Sequence, residues 1–229
     1  MINGKSVLGI TLARGGSKRV PKKNIKDING KPLIQYTIDE VKKSKYIDNY
    51  IVSTDDNGIK YLCKELDQTY FDRKPVDDTQ KSSDGLLEVL SVMNKPHYVV
   101  EIMCTNPLKT SEDIDGVIEK IDELEADTVC SVVRVWDYHP SRIKFLDDEG
   151  RMEDVYPETP ETRRQDLNPP AYIRNGSIYA MTYEQMVDKG LRIGEDVRPY
   201  IMDEQNSVNL DEPLDLEIAK IKIRSLIGE

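Results

Sequence analysis

Arg14, Lys18, Arg19, Lys22 and Lys23 occur within a short stretch that contains no acid. Gly15 and Gly16 follow the first arginine, so the backbone there can bend tightly and turn N–H groups toward an anion. On a chain with a formal net charge of −10, this cluster reads as a local anion site, and a triphosphate is its natural occupant. The segment contains neither a G-x-x-x-x-G-K-[ST] P-loop nor a G-x-G-x-x-G turn opening a helix, so cationic side chains matter more than a glycine cradle. A solvated basic turn is the plainer alternative. Elsewhere, reactive side chains are sparse. His97 and His139 have no clear partner and suit surface or structural roles. Cys63, Cys104 and Cys130 are odd in number and widely spaced, which suits reduced thiols rather than disulfides or a C-x-x-C metal site.

These residues need a frame. Val7 to Leu12 is rich in β-branched residues and too short for a helix, so it reads as a buried strand that delivers the basic loop at its carboxyl end. In an open parallel sheet, ligands bind at that end. After the N-G-K-P turn, Leu33, Ile34, Tyr36, Thr37, Ile38 and Val41 recur at helical spacing, and Asn49 to Ser53 reads as the next strand. The alternation continues with helices near Ile59 to Leu66 and Leu86 to Met93, and strands at Thr69 to Phe71 and Tyr98 to Met103. Ser111 to Ile121 reads as a helix with Ser111 as N-cap and acids in its first turn. Strands follow at Thr128 to Val135, Ser177 to Met181 and Pro199 to Met202, with helices at Tyr183 to Val187 and Leu214 to Ile227. This order predicts an α/β fold, Rossmann-like, with a mainly parallel sheet and helices on both faces. From Trp136 to about Pro170 the periodicity lapses, apart from a hairpin about Asp147 to Gly150, so residues 136–170 read as an excursion from the sheet.

At 229 residues, 38% hydrophobic and 32% charged, the chain suits one domain over 1–229 with a real core. The acidic balance argues against nucleic-acid binding, which needs surplus Lys and Arg. No run approaches the roughly 20 apolar residues of a membrane span, and the MINGKS opening lacks a signal-peptide pattern, so a cytoplasmic location is expected.

The order L-A-R-G-G-S-K-x-x-P-x-K-N, followed by N-G-K-P-L, resembles the opening of the N-acylneuraminate cytidylyltransferase (CMP-sialic acid synthetase) family. The likeness continues through S-T-D-D at Ser53 to Asp56, M-C-T-N-P-L-K-T at Met103 to Thr110, R-R-Q-D-L-N-P-P-A-Y-I-R-N-G-S-I-Y at Arg163 to Tyr179, and S-V-N-L-D at Ser207 to Asp211. It implies a fold of the nucleotide-diphospho-sugar transferase type, with Ala13, Arg14, Gly15, Ser17, Lys23 and Asn24 at the nucleotide, Arg14 and Lys23 neutralising phosphoryl charge. Arg73 and Ser83 fall in the segment that reads base and ribose, where Lys74 is an extra residue. Met103, Arg164, Gln165, Asn175 and Tyr179 are implied at the sugar, and Asp211 with Asn209 at Mg2+. In the family's pattern a glutamine stands at Met103 and an aspartate at Asn209. Simpler roles stay open for three of these positions: an N-cap for the S-T-D-D segment, a core aromatic for Tyr179, and a helix cap for Asp211.

The resemblance implies catalytic roles for Arg14, Lys23 and Asp211 in joining CTP to a nine-carbon 2-keto sugar acid. The anomeric hydroxyl would attack the α-phosphorus and release pyrophosphate, with charge stabilisation and positioning doing most of the catalysis. No general base is assigned. A homodimer is implied as well, with 136–170 reaching across to a second subunit near the sugar site. The rival readings are a Kdo or other sugar nucleotidyltransferase, and a catalytically silent nucleotide-binding homologue.

Overall fold

The computed structural model describes residues 1–75, 80–157 and 163–227. Strand β1 (Val7–Leu12) leads through the basic loop to a small ribbon of β2 (Asp27–Ile28) and β3 (Lys31–Pro32), then to helix α1 (Leu33–Lys43). The alternation continues through β4 (Asn49–Thr54), α2 (Asn57–Glu65), β5 (Tyr70–Asp72), α3 (Ser82–Leu90), β6 (Tyr98–Ile102), α4 (Ser111–Leu124) and β7 (Thr128–Val135). The excursion holds a hairpin of β8 (Lys144–Leu146) and β9 (Met152–Asp154); residues 158–162 of it lie outside the described part. The chain then returns through β10 (Ala171–Thr182), α5 (Tyr183–Val187), β11 (Val197–Ile201) and α6 (Pro213–Ile227).

Seven strands form one sheet in the order β11-β7-β10-β6-β1-β4-β5. All are parallel except β10, which runs antiparallel to both β6 and β7. The excursion accompanies that reversal: it begins where β7 ends, and β10 starts beside that same end, Ala171 opposite Val135, between β7 and β6. The mainly parallel α/β fold expected from the alternation is therefore present.

Burial follows the two-residue period of the strands. Val7, Val100, Ile102 and Ile178 pack on one face against α4, through Ile114, Val117, Ile118 and Ile121. Leu8, Ile10, Val99 and Met181 pack on the other face against Leu86 and Val89 of α3 and Met186 of α5. Leu216, Ala219 and Ile223 of α6 close a smaller cluster with Ile28, Leu33 and Leu210, which brings the late segment beside the first loop.

Three details differ from the sequence reading. Thr110, not Ser111, caps α4: its hydroxyl accepts from the Asp113 N–H while the Asp113 carboxylate accepts from the Thr110 N–H, a capping box. Helix α3 starts at Ser82, ahead of the apolar run, and Gly85 within it packs closely. A Cβ there would stand 3.2 Å from Leu12 and 3.3 Å from Arg73 Nη1. Strand β10 is 12 residues long, with a register irregularity between Arg174 and Tyr179 in which Gly176 takes a φ of 62° that only glycine adopts freely.

Candidate active site

The basic loop is anchored at four points, each by a residue distant in sequence. The Ala13 N–H donates to the Ser53 carbonyl (2.9 Å), extending the sheet by one residue. The Gly15 N–H donates to Asp55 Oδ1 (2.8 Å). Asn24 is buried and bridges two elements, its Nδ2 donating to the Arg14 carbonyl (2.9 Å) and its Oδ1 accepting from the Cys104 thiol (3.2 Å) just past β6. Lys23 Nζ donates to the Leu210 carbonyl (2.6 Å) and lies 3.2 Å from Asp211 Oδ1, joining the first loop to the segment before α6.

Gly15 therefore serves close packing more than anion contact. Its N–H is committed to Asp55, and a Cβ would come 2.7 Å from Asp56 Oδ2 and 2.8 Å from Asp56 Cβ. Asp56 is itself fixed as the N-cap of α2, accepting from the Ile59 N–H at 2.9 Å. The capping role open for the S-T-D-D segment thus falls to Asp56. Gly16 has open space around it.

Above the loop lies a cavity of about 580 Å³, within the usual range of small-molecule sites. Arg14, Ser17, Lys23 and Asn24 line its centre. Beyond β5, Arg73 and the start of α3 at Ser82 form one end, while Glu101, Met103 and Gly176, from β6 and β10, form the other. Asn209 and Asp211 close it from the late segment. Arg73 is buried and its Nε has no partner among the described residues; burial lowers its pKa, and the nearby carboxylates of Asp55 and Glu88 oppose that fall. A buried guanidinium with an unsatisfied donor at a cavity wall is ready to bind an acceptor brought by a ligand.

Several expected site residues lie elsewhere. Ala13 is buried beneath the loop and not on the cavity wall, and on α3 the wall residue is Ser82 rather than Ser83. Asn175 is buried and consumed by structure: its Oδ1 accepts from Ser131 Oγ (2.7 Å) and its Nδ2 donates to Ser207 Oγ (3.1 Å). Tyr179 sits in the core on the α3 side, taking the simpler role open to it. Arg164 and Gln165 lie on an exposed single-turn helix outside the cavity, with Arg164 5.3 Å over the ring of Trp136 and 3.7 Å from Asp137. Hydrophobic and motif patterns missed one wall residue and its partner. Glu101, buried in β6, pairs with Arg192 at 2.6 Å across 91 positions, and no local pattern links them.

Among the described residues, no group of three or more His, Cys, Asp or Glu side chains is arranged to hold a metal ion. The pair at the cavity mouth is one carboxylate and one amide. Asn209 Nδ2 donates to Asp211 Oδ2 (2.6 Å), and Asp211 does not cap α6: the Asp215 carboxylate accepts from the N–H groups of Asp211 (2.9 Å) and Glu212 (2.7 Å). That donor set fits a magnesium ion sharing its coordination with phosphates, since Mg2+ takes one or two carboxylates plus substrate oxygens. It does not resemble a closed, all-protein site.

Comparison with known proteins gives a consistent picture. The cytidylyltransferase family matches residues 8–208. The chain is 32% identical over 203 residues to the N-acylneuraminate cytidylyltransferase of Streptococcus agalactiae serotype V, covering 87% of this chain and 49% of that protein. It thus spans about half the length of that relative. It is 28% identical over 218 residues to the CMP-N,N'-diacetyllegionaminic acid synthase of Legionella pneumophila, covering 91% of this chain and 92% of that one. The solved structure of CMP:2-keto-3-deoxy-manno-octonic acid synthetase complexed with CTP superposes with a TM-score of 0.75 at 16% identity, covering 96% of this chain and 99% of that one, a likeness of fold. No helix among the described residues is long and apolar enough to cross a membrane.

Proposed function

The chain belongs to the cytidylyltransferase family, and from that premise we propose that it activates a nonulosonic, sialic-type sugar acid with CTP, giving the CMP-sugar and pyrophosphate. One observation carries the reading. The cationic loop and the Asn209–Asp211 pair, far apart in sequence, meet at one cavity through Lys23.

In this reading Arg14 and Lys23 take the charge of the triphosphate, and Arg73 with the start of α3 holds the nucleoside at the β5 end. The sugar acid occupies the β6 and β10 end, and its anomeric hydroxyl attacks the α-phosphorus as the bond to pyrophosphate breaks. A magnesium ion held by Asp211 and Asn209 would neutralise charge on the phosphates. Neither histidine is a base for this step. His97 bonds Ser6, and His139 is buried between Ser141 Oγ (2.7 Å) and the Pro169 carbonyl (2.8 Å).

The proposal includes a homodimer. Phe145, Leu146 and Met152 of the β8–β9 hairpin are each more than 60% exposed, an apolar surface suited to a second copy. Arg164 and Gln165, which do not line their own cavity, would then serve the partner's, where a planar guanidinium suits a sugar carboxylate.

The test is pyrophosphate release from CTP and magnesium across neuraminic, legionaminic, pseudaminic and Kdo acids. The expected result is turnover with a sialic-type acid and loss of about 100-fold or more in Lys23→Ala and Asp211→Ala. Full activity in both variants refutes the site. Light scattering that gives a monomer at micromolar concentration refutes the dimer.

A further inference from the structure

Glu101 is the one charged residue of β6 and is 1% exposed, flanked in the strand by buried Val100 and Ile102. Its Oε2 accepts from Arg192 Nη1 at 2.6 Å. Arg192 arrives from the loop after α5 with its guanidinium 4.8 Å over the Tyr179 ring. That loop is pinned by Thr128, whose hydroxyl donates to the Arg192 carbonyl (3.1 Å) and accepts from the Gly194 N–H (3.1 Å). The other carboxylate oxygen, Oε1, is buried with no partner among the described residues. Burial pushes the Glu101 pKa up, and the adjacent arginine holds it down.

Stability does not account for this pair. Apolar side chains of similar volume in place of a buried ion pair are often as stable or more so. The unpaired oxygen adds a desolvation cost that no hydrogen bond among the described residues offsets. Yet the residue stands on the cavity wall, at the end formed by β6 and β10, with β1 and its cationic loop between it and Arg73. Because Arg192 already balances the charge, the missing partner is a neutral donor. Met103, just past the end of β6 and also on the cavity wall, supplies an apolar shoulder.

We propose that Glu101 is a specificity-determining residue whose Oε1 accepts a hydrogen bond from a hydroxyl or amide N–H of the acceptor sugar, with Arg192 as its positioning residue. This rests on the reading of the cavity as the site of cytidylyl transfer. It makes the β6 end of the site select for sugars that carry a donor there, because a site built to bond an O–H or N–H rejects analogues lacking it.

The experiment compares the wild type with Glu101→Leu/Arg192→Leu, which removes both charges together, and with Glu101→Gln, which retains an acceptor oxygen. Each is assayed with the sugar acid the wild type uses best and with analogues lacking one hydroxyl or acylamido group at a time, alongside CTP titration calorimetry. In the double variant we expect the CTP dissociation constant to stay within about twofold and the sugar KM to rise about 10- to 100-fold. That loss should vanish for the one analogue that lacks the donor, and Glu101→Gln should lose less. An equal loss on every analogue, unchanged sugar kinetics, or weakened CTP binding overturns the assignment, the last by placing the carboxylate at the nucleotide. If the double variant does not fold, the wild type decides: equal use of all analogues overturns the proposal. A wild type that turns over no sugar acid sinks the cytidylyl-transfer reading itself, and the inference with it.

Discussion

Adding one methyl group at Gly15 should do far more damage than adding it at Gly16. A Cβ at Gly15 would lie 2.7 Å from Asp56 Oδ2 and 2.8 Å from Asp56 Cβ, whereas at Gly16 nothing lies within 4 Å. Rotating the Asp56 side chain cannot relieve contact with its own Cβ, so the backbone at residues 55 and 56 must shift. Two interactions then suffer: the cap that Asp56 makes to the Ile59 N–H, and the bond from the Gly15 N–H to Asp55. Loss of an N-cap costs about 1 kcal/mol, and overpacking a tight contact about 1–3 kcal/mol. Gly15→Ala should therefore lose about 2–4 kcal/mol, which for a chain of this size lowers Tm by roughly 5–15 °C. Gly16→Ala should stay within about 0.5 kcal/mol of wild type. Urea unfolding of both variants, of Asp56→Gly, and of the Gly15→Ala/Asp56→Gly double variant gives the coupling directly. With the obstructing Cβ removed, the alanine should be tolerated, and the coupling should exceed about 1 kcal/mol. Equal stability of the two alanine variants, or additivity in the cycle, would refute the packing argument.

The α4 cap and the buried lysine give two more expectations. Thr110→Ala should cost about 1 kcal/mol in denaturant unfolding and Ser111→Ala clearly less, because Thr110 holds the capping box; the reverse order would return the cap to Ser111. Lys109 is fully buried, donating to Thr37 Oγ1 (2.8 Å) and the Asn106 carbonyl, and burial pulls its pKa from 10.5 to about 7. Above pH 7 the unfolded chain holds a proton that the folded one has released, so this group makes stability rise with pH, by at most about 1.4 kcal/mol per unit. The stability difference between wild type and Lys109→Met, followed by urea unfolding from pH 7 to 8.5, should grow in favour of wild type. A flat difference would mean that the lysine stays charged in the fold.

Much of this fold can be read along the chain because its signals are local. The β-branched run of Val7–Leu12 and the helical spacing of Leu33 to Val41 each report an element that forms as expected. Signals failed where the deciding partner is distant. The start of α3, Ser82 to Gly85, carries no apolar periodicity, and Gly85 there lies against Leu12 and Arg73, both distant in sequence. The reversal of β10 depends on the path of the excursion, and neither its composition nor its spacing encodes that. Within the site, the basic loop was legible from charge alone, and Asp211 from its motif. Asn175 and Tyr179 belong to the other late motif, on β10, but Ser131 and Ser207 claim the first, and the core claims the second. The Glu101–Arg192 pair was invisible, since a lone glutamate among valines and an arginine in a loop gain meaning only when brought together.

The bond from Lys23 Nζ to the Leu210 carbonyl spans 187 positions. On the ribosome, the basic loop emerges well before its latch, which is synthesised after every strand of the seven-stranded sheet. Until then its cations stand without the Asn209–Asp211 side of the cavity. The cavity is therefore completed only once residues 209–211 have been made, and a product truncated before residue 210 would keep the charge of the loop without the enclosure that gives it direction.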